Sequence, residues 1–112
     1  MIPIALFAAV AAASCSQGPP KTLVIADSKD YEASIFRQNC AICHGPEANG
    51  KTLDDGKIVP SLRSGEFKFK TEAEIFKQIS EGGNGMPPFR GQLTERELHM
   101  LAAFVHDRLR KE

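Results

Sequence analysis

The sequence contains no tryptophan, only one tyrosine and no excess of charge of either sign. Its 14 basic and 14 acidic residues give a formal net charge of zero. The overall charge therefore does not indicate binding to nucleic acid or to an anionic membrane surface. At 112 residues the chain is long enough for one small domain. Because a core of this size is marginal, a buried cofactor, a metal or a disulfide would help to stabilise it.

The N-terminal stretch MIPIALFAAVAAASC is typical of a signal peptide, because an apolar run too short to span a bilayer ends in small residues. The three residues before Cys15 resemble those that precede the lipidated cysteine of bacterial lipoproteins. We therefore expect removal of residues 1–14 and lipid on Cys15, with simple cleavage at an Ala-x-Ala type site as the alternative. Residues 15–27 would form the lipidated terminus and a flexible tether, and residues 28–112 the folded domain.

Apolar spacing predicts three helices and no sheet. The segment DSKDYEASIFRQN has a possible cap at Asp27 or Ser28 and predicts a first helix that runs into Cys40. The run TLVIAD, residues 22–27, resembles a strand but is too isolated to form a sheet. The predicted fold class is therefore all-α.

Two capping boxes predict the starts of the other helices. Thr71 with Glu74 and Thr94 with Glu97 each place a hydroxyl three residues before an acidic side chain and ahead of an apolar stripe. Between the first two helices, residues 45–70 are rich in Gly, Asp and Pro. A loop of that length normally serves a function or surrounds something bulky.

Cys40, Cys43 and His44 lie together in CAICHG. This spacing is the attachment signature of c-type haem, since the two thiols can form thioethers with the vinyl groups while the adjacent imidazole reaches the iron. A thioredoxin-like redox pair would need a βαβ context that the sequence lacks, and a disulfide across so short a loop would stabilise little. A zinc site would combine both cysteines with two of His44, His99 and His106.

With this motif in place, the sequence resembles the class I, single-haem cytochromes c from about Tyr31 to Leu109. CAICHG is similar to the haem-attachment segment, IVPSL to the proline-containing segment beside the proximal histidine, and GGNGMPPF to the loop that supplies the second axial ligand. The resemblance implies a small all-α fold with three or more helices around one covalently bound haem c.

The resemblance also implies the role of each site residue. Cys40 and Cys43 would carry the thioethers, and His44 would be the proximal iron ligand. Its other ring nitrogen would donate to the carbonyl of Pro60, which fixes the ring's tautomer and orientation. Met86 would be the second axial ligand, whose thioether favours reduced iron.

Several other residues are expected to be structural. Phe36 and Phe104 match packing aromatics of the family's first and last helices, and Met100 is expected to fill the core rather than bind iron. Glu32 stands where the family usually has Gly or Ala, so Ala33 is expected to allow the close helix crossing. The remaining expectation concerns loop charges, which are predicted to be solvated rather than part of a docking site: Lys57, Arg63, Lys68 and Lys70.

The implied function is electron transfer without substrate turnover, because two axial protein ligands leave no open position on the iron. The expected partners are redox proteins, with no small-molecule substrate and no nucleic acid. The expected location is the periplasmic side of a bacterial membrane, anchored through lipid on Cys15 or soluble in the periplasm. Two alternatives stay open: a subunit of a larger dehydrogenase or terminal oxidase, and a haem sensor or enzyme in which Met86 is displaced.

Overall fold

The computed structural model describes residues 22–110, together with Pro3 and Ala9. The predicted signal peptide and Cys15 lie outside the described residues. The elements, in chain order, are a 3-10 turn at Ile25–Asp27, α1 at Tyr31–Asn39, α2 at Ala41–His44, β1 at Lys51–Thr52, β2 at Ile58–Val59, α3 at Glu72–Glu81, α4 at Glu95–Ala103 and a π-helical turn at Phe104–Leu109. None of the helices in 22–110 is both long and apolar enough to cross a membrane.

The predicted helical fold is confirmed, with one addition. Strands β1 and β2 form an antiparallel hairpin in which Lys51 pairs with Val59 and Thr52 with Ile58. Each strand has two residues, so it is too short to show the alternation of apolar and polar side chains by which a strand is recognised in sequence.

Helix α1 begins after both caps that the sequence suggested. Its N-cap is Asp30, because Asp27 belongs to the 3-10 turn and the Ser28 hydroxyl accepts a hydrogen bond from the Asp30 N–H at 3.2 Å. The helix ends at Asn39, and the chain turns at Cys40 into α2. Cys43 and His44 therefore lie on a separate short helical turn, and Cys40 joins that turn to the end of α1.

Both predicted capping threonines are confirmed. Thr71 Oγ1 accepts from the Glu74 N–H and Thr94 Oγ1 from the Glu97 N–H, each at 3.1 Å. The Glu74 carboxylate, in turn, accepts from the Lys70 N–H at 3.1 Å, one residue before the expected partner. Each cap satisfies a backbone donor that the first helical turn leaves free and so fixes where α3 and α4 begin.

The core is formed where α1 and the C-terminal helical segment meet. The rings of Phe36 and Phe104 are 6.1 Å apart and tilted by 54°, and each side chain is 1% exposed. Ala33 is fully buried while Glu32 is only half-buried, so the small residue faces the core as expected. The other buried apolar residues are Ile25, Ile35, Ala48, Ile75, Ile79, Phe89, Leu98, Leu101, Ala102, Val105 and Leu109.

Arg63 fastens the start of the domain to the loop that follows α2. It is 8% exposed, and its guanidinium donates to the Glu47 carbonyl at 2.6 Å and to the Leu23 carbonyl at 2.7 Å. The Glu47 carboxylate accepts from the Ile25 N–H at 2.6 Å and lies 3.6 Å from Arg63. The prediction of a solvated charge at Arg63 is therefore wrong. Ile25, which the sequence assigned to the tether, is fully buried in the core.

Candidate functional site

Cys40, Cys43 and His44 are held on one hydrogen-bonded turn. The Cys40 N–H donates to the Phe36 carbonyl at 2.8 Å, which continues α1 into the motif. The Cys40 carbonyl then accepts from the Cys43 N–H at 3.2 Å and from the His44 N–H at 2.9 Å. Both cysteines are free thiols and half-buried, so the structure does not contain the disulfide that the sequence left open.

Burial sets the protonation states on this turn. It raises the pKa of the Cys40 thiol to about 12, and the neighbouring Cys43 acts in the same direction. Burial also lowers the pKa of His44, which favours the neutral imidazole. A neutral imidazole keeps the lone pair that a metal ligand needs. The turn therefore presents two nearby cysteines, one of them held as a protonated thiol, and one imidazole suited to an iron centre.

The loop after His44 folds back onto the segment that contains Pro60. The His44 carbonyl accepts from the Gly50 N–H at 2.9 Å, and Gly50 has a φ of +89°. A Cβ at Gly50 would lie 2.5 Å from the Val59 carbonyl oxygen and 3.0 Å from the Pro60 carbonyl carbon, so only glycine fits this contact. Gly50 is therefore hydrogen-bonded to His44 and packs closely against the Pro60 backbone, so it connects the two segments.

The expected hydrogen bond between His44 and Pro60 is not formed in the structure. His44 Nδ1 is buried and has no hydrogen-bond partner in the part of the chain that is described. The ring instead packs 6.5 Å, centroid to centroid, from the ring of Phe36. A buried, unpaired ring nitrogen normally costs free energy, which fits an imidazole whose surroundings would rearrange when a cofactor is bound.

Met86 lies on a short loop that follows α3 and closes on itself. The Gly83 N–H donates to the Met86 carbonyl at 2.9 Å, and the Met86 N–H donates to the Gly83 carbonyl at 3.0 Å. Gly82, at a φ of +69°, passes so close that a Cβ there would lie 2.5 Å from the Met86 carbonyl oxygen. The loop therefore fixes the backbone of Met86, while its half-buried side chain packs against the hydrophobic core, as Cys40 does.

Gln78 is a site residue that the sequence did not reveal. From α3 its amide nitrogen donates to the Gly83 carbonyl at 3.0 Å and lies 3.8 Å from Met86 Sδ, within hydrogen-bonding distance for sulfur. No motif marks a single glutamine on a helix. The one feature of the sequence that could have indicated its role is its position on α3 beside the buried Ile75 and Ile79, just before the methionine loop.

The rival histidines do not assemble with the cysteine pair. His99 stacks on Phe76 with ring centroids 4.0 Å apart, and His106 Nδ1 lies 2.6 Å from an Asp107 carboxylate oxygen. Within residues 22–110, the three-residue group of potential metal ligands that comes within 4.8 Å contains neither cysteine. The zinc site built on Cys40 and Cys43 is therefore not formed. Met100, the rival methionine, is half-buried on α4.

An open pocket of about 370 Å³ adjoins the attachment turn. Its lining residues are Ile42, Cys43, Lys51, Leu53, Asp54 and Asp55. The side chain of Ile42 is 73% exposed and that of Ile58, in the nearby hairpin, is 75% exposed. Two free thiols, a neutral histidine and the exposed Ile42 on one turn, with Ile58 exposed in the hairpin, fit the covalent attachment of a large apolar group such as haem.

Comparison with known proteins agrees with this geometry. Residues 30–105 match the family described as cytochrome C oxidase, cbb3-type, subunit III. Cytochrome c6 of Parathermosynechococcus lividus is 33% identical over 79 residues, which cover 70% of this chain and 88% of that protein. The cbb3-type cytochrome c oxidase subunit FixP of Sinorhizobium medicae is 33% identical over 65% of this chain, but the match covers 27% of that protein.

A solved structure shows the same fold. The KustC0563 c-type cytochrome superposes with a TM-score of 0.58 at 31% identity, and the match covers 70% of this chain and 95% of that one. The family match, residues 30–105, includes the helical turn of Cys40, Cys43 and His44. The chain therefore belongs to the class I, single-haem cytochromes c, proteins that transfer electrons through one covalently attached haem c.

Proposed function

We propose that this cytochrome carries one electron at a time between two redox partner proteins, with thioethers at Cys40 and Cys43 and with His44 and Met86 as axial ligands. The observation that carries the assignment is the single turn that presents two cysteines beside a half-buried imidazole whose pKa is lowered toward the neutral form. A bound haem supplies a reversible one-electron iron couple. The protein's contribution is to hold both axial side chains on rigid, hydrogen-bonded segments.

Each segment limits the movement of its ligand. The helical turn of α2 fixes His44, and the ring of Phe36 restricts the imidazole from one side. The closed loop fixes Met86, and Gln78 holds the same loop through the Gly83 carbonyl. With His44 and Met86 both bound, the iron would have no open position for a substrate, so we expect no turnover by the cytochrome itself.

The haem-loaded protein tests this assignment when it is produced in a bacterial host that matures c-type cytochromes. We expect a covalent mass increase of one haem, a reversible one-electron titration and a low-spin spectrum in both oxidation states. Cys43→Ser should leave a single thioether, and His44→Ala should prevent formation of the six-coordinate protein. A high-spin oxidised spectrum that changes when carbon monoxide is added to the reduced protein would instead favour a haem sensor or enzyme.

A second proposal places the domain in a larger oxidase, as an electron-entry unit. Its support is the description of the matching family as an oxidase subunit and the partial match to the FixP subunit. A free electron carrier would purify alone and reduce its acceptor only through collisions. Purification of the tagged protein under mild detergent from its native membrane distinguishes the two, because a subunit should retain an oxidase at fixed stoichiometry.

The location is also a proposal. We infer that residues 1–14 direct export, since haem attachment to such motifs in bacteria occurs outside the cytoplasmic membrane, and that Cys15 carries a lipid anchor. The packed segment that Arg63 holds begins at Leu23, so the flexible tether would be shorter than residues 15–27. Fractionation of wild type beside Cys15→Ala tests the anchor: wild type should be membrane-bound and the variant should lack lipid.

A further inference from the structure

A histidine and two carboxylates lie together on the opposite end of α3 from the methionine loop. One ligating atom from each of Glu72, His106 and Asp107 lies within 4.8 Å of the others. Glu72 is the first residue of α3, whereas the other two belong to the π-helical turn near the C-terminus. Because α3 has ten residues, this cluster is about 15 Å along the helix from the loop that holds Met86.

The π-helical turn packs against α3, and two of its neighbouring residues reach the start of that helix. In a regular α-helix consecutive side chains point about 100° apart, so neighbours do not share a face. The wider turn at Phe104–Leu109 brings His106 and Asp107 closer together around the helix axis. Their side chains meet at 2.6 Å, His106 Nδ1 to Asp107 Oδ1. Such π-helical turns occur frequently at functional sites.

The two carboxylates have no basic partner among the described residues. Within residues 22–110, no Lys or Arg nitrogen lies within 4.0 Å of the Glu72 or Asp107 carboxylate. The nearby Arg108 is occupied by Asp30 at 3.0 Å. Two carboxylates facing one imidazole therefore form a locally negative group, which a divalent cation would neutralise better than a single proton.

We propose that Glu72, His106 and Asp107 bind one divalent transition-metal ion of the zinc class. An imidazole nitrogen and carboxylate oxygens are ordinary zinc ligands, at bond lengths of about 2.0–2.2 Å. These lengths require ligand atoms roughly 3–4 Å apart. The 2.6 Å contact is shorter than this and the 4.8 Å span is longer, so the side chains would rotate to close around an ion. Asp107 is exposed, which leaves its side chain room to rotate. Water would complete the coordination. The ion would join the C-terminal turn to the start of α3.

Zinc titration of the haem-loaded protein tests the proposal, after removal of other metals with a chelator. Isothermal titration calorimetry should show one Zn²⁺ per chain. Glu72→Gln and His106→Asn should each weaken binding by about tenfold or more, since loss of a ligand costs at least as much as loss of a residue that supports one. Glu72→Gln leaves the Thr71 cap in place, so it decides the question even if His106→Asn does not fold.

The matched control is His99→Asn. His99 is the other exposed histidine, and it has one carboxylate neighbour, Glu95 at 3.9 Å, but no third potential ligand within residues 22–110. Its replacement should leave zinc affinity unchanged. Zinc should also raise the melting temperature of wild type but not of Glu72→Gln, because a ligand stabilises only the state that binds it. Absence of binding to wild type, or equal binding by wild type and Glu72→Gln, would overturn the proposal.

Discussion

The Gln78 amide nitrogen lies 3.8 Å from Met86 Sδ while it also donates to the Gly83 carbonyl at 3.0 Å. One side chain on α3 therefore contacts both the proposed axial sulfur and the backbone of the loop that carries it. A hydrogen bond donated to a thioether withdraws electron density from the sulfur. This weakens its donation to oxidised iron more than to reduced iron, so the contact should raise the reduction potential.

Replacement of Gln78 by Leu should lower the potential of the haem-loaded protein. If the hydrogen bond is worth about 1 kcal/mol more in the reduced state, the shift is about 40 mV for one electron. Equilibrium redox titration measures it. Gln38→Leu, an exposed glutamine on α1, is the matched control and should leave the potential unchanged. Equal potentials for Gln78→Leu and wild type would show that the amide does not act on the sulfur.

Gly82→Ala should destabilise the methionine loop. The new Cβ would meet the Met86 carbonyl oxygen at 2.5 Å and the Pro88 nitrogen at 2.7 Å, both backbone atoms that cannot move separately from the loop. Gly65→Ala is a close control, because its φ of +94° is also unfavourable for alanine but no atom lies within 4 Å of the added Cβ.

The control should therefore report backbone strain alone, about 1–2 kcal/mol. Gly82→Ala should cost clearly more in the free energy of unfolding, measured by urea denaturation, and should reduce the low-spin fraction of the oxidised protein. Equal losses in the free energy of unfolding for Gly82→Ala and Gly65→Ala, with unchanged spectra, would contradict a close-packed methionine loop.

Arg63→Met should destabilise the domain by about 2–3 kcal/mol, because it leaves the Glu47 and Leu23 carbonyls without their donor and removes the ionic partner of the Glu47 carboxylate. The expected value lies below that of a fully buried pair, since the Glu47 side chain is 31% exposed. Lys68→Met is the control: Lys68 is exposed and makes one 3.3 Å hydrogen bond to Asn84, so its loss should change stability little. Urea unfolding followed by circular dichroism gives both values.

The sequence predicted those parts of the molecule that depend on nearby residues. The cysteine and histidine spacing in residues 40–44 and the caps at Thr71 and Thr94 are local chemistry, in which one side chain acts on atoms a few residues away. The core positions Phe36 and Phe104 were also predicted, from the resemblance to the packing aromatics of the family's first and last helices.

The features that the sequence did not predict depend on distant segments. Arginine is usually a surface residue. Arg63 is buried only because the fold brings Leu23 and Glu47 beside it. Gln78 becomes a site residue because the loop after α3 returns to it. The same holds for Glu72 and His106, which meet across the packing of two elements.

Met86→Ala in the haem-loaded protein tests the central claim most directly. Oxidised wild type should show the weak sulfur-to-iron absorption band near the red end of the visible spectrum, and Met86→Ala should lose it and gain high-spin character. Met100→Leu, which changes the other methionine of the described domain, should keep the band. Persistence of the band in Met86→Ala, or its loss in Met100→Leu, would contradict the assignment of Met86 as the axial ligand.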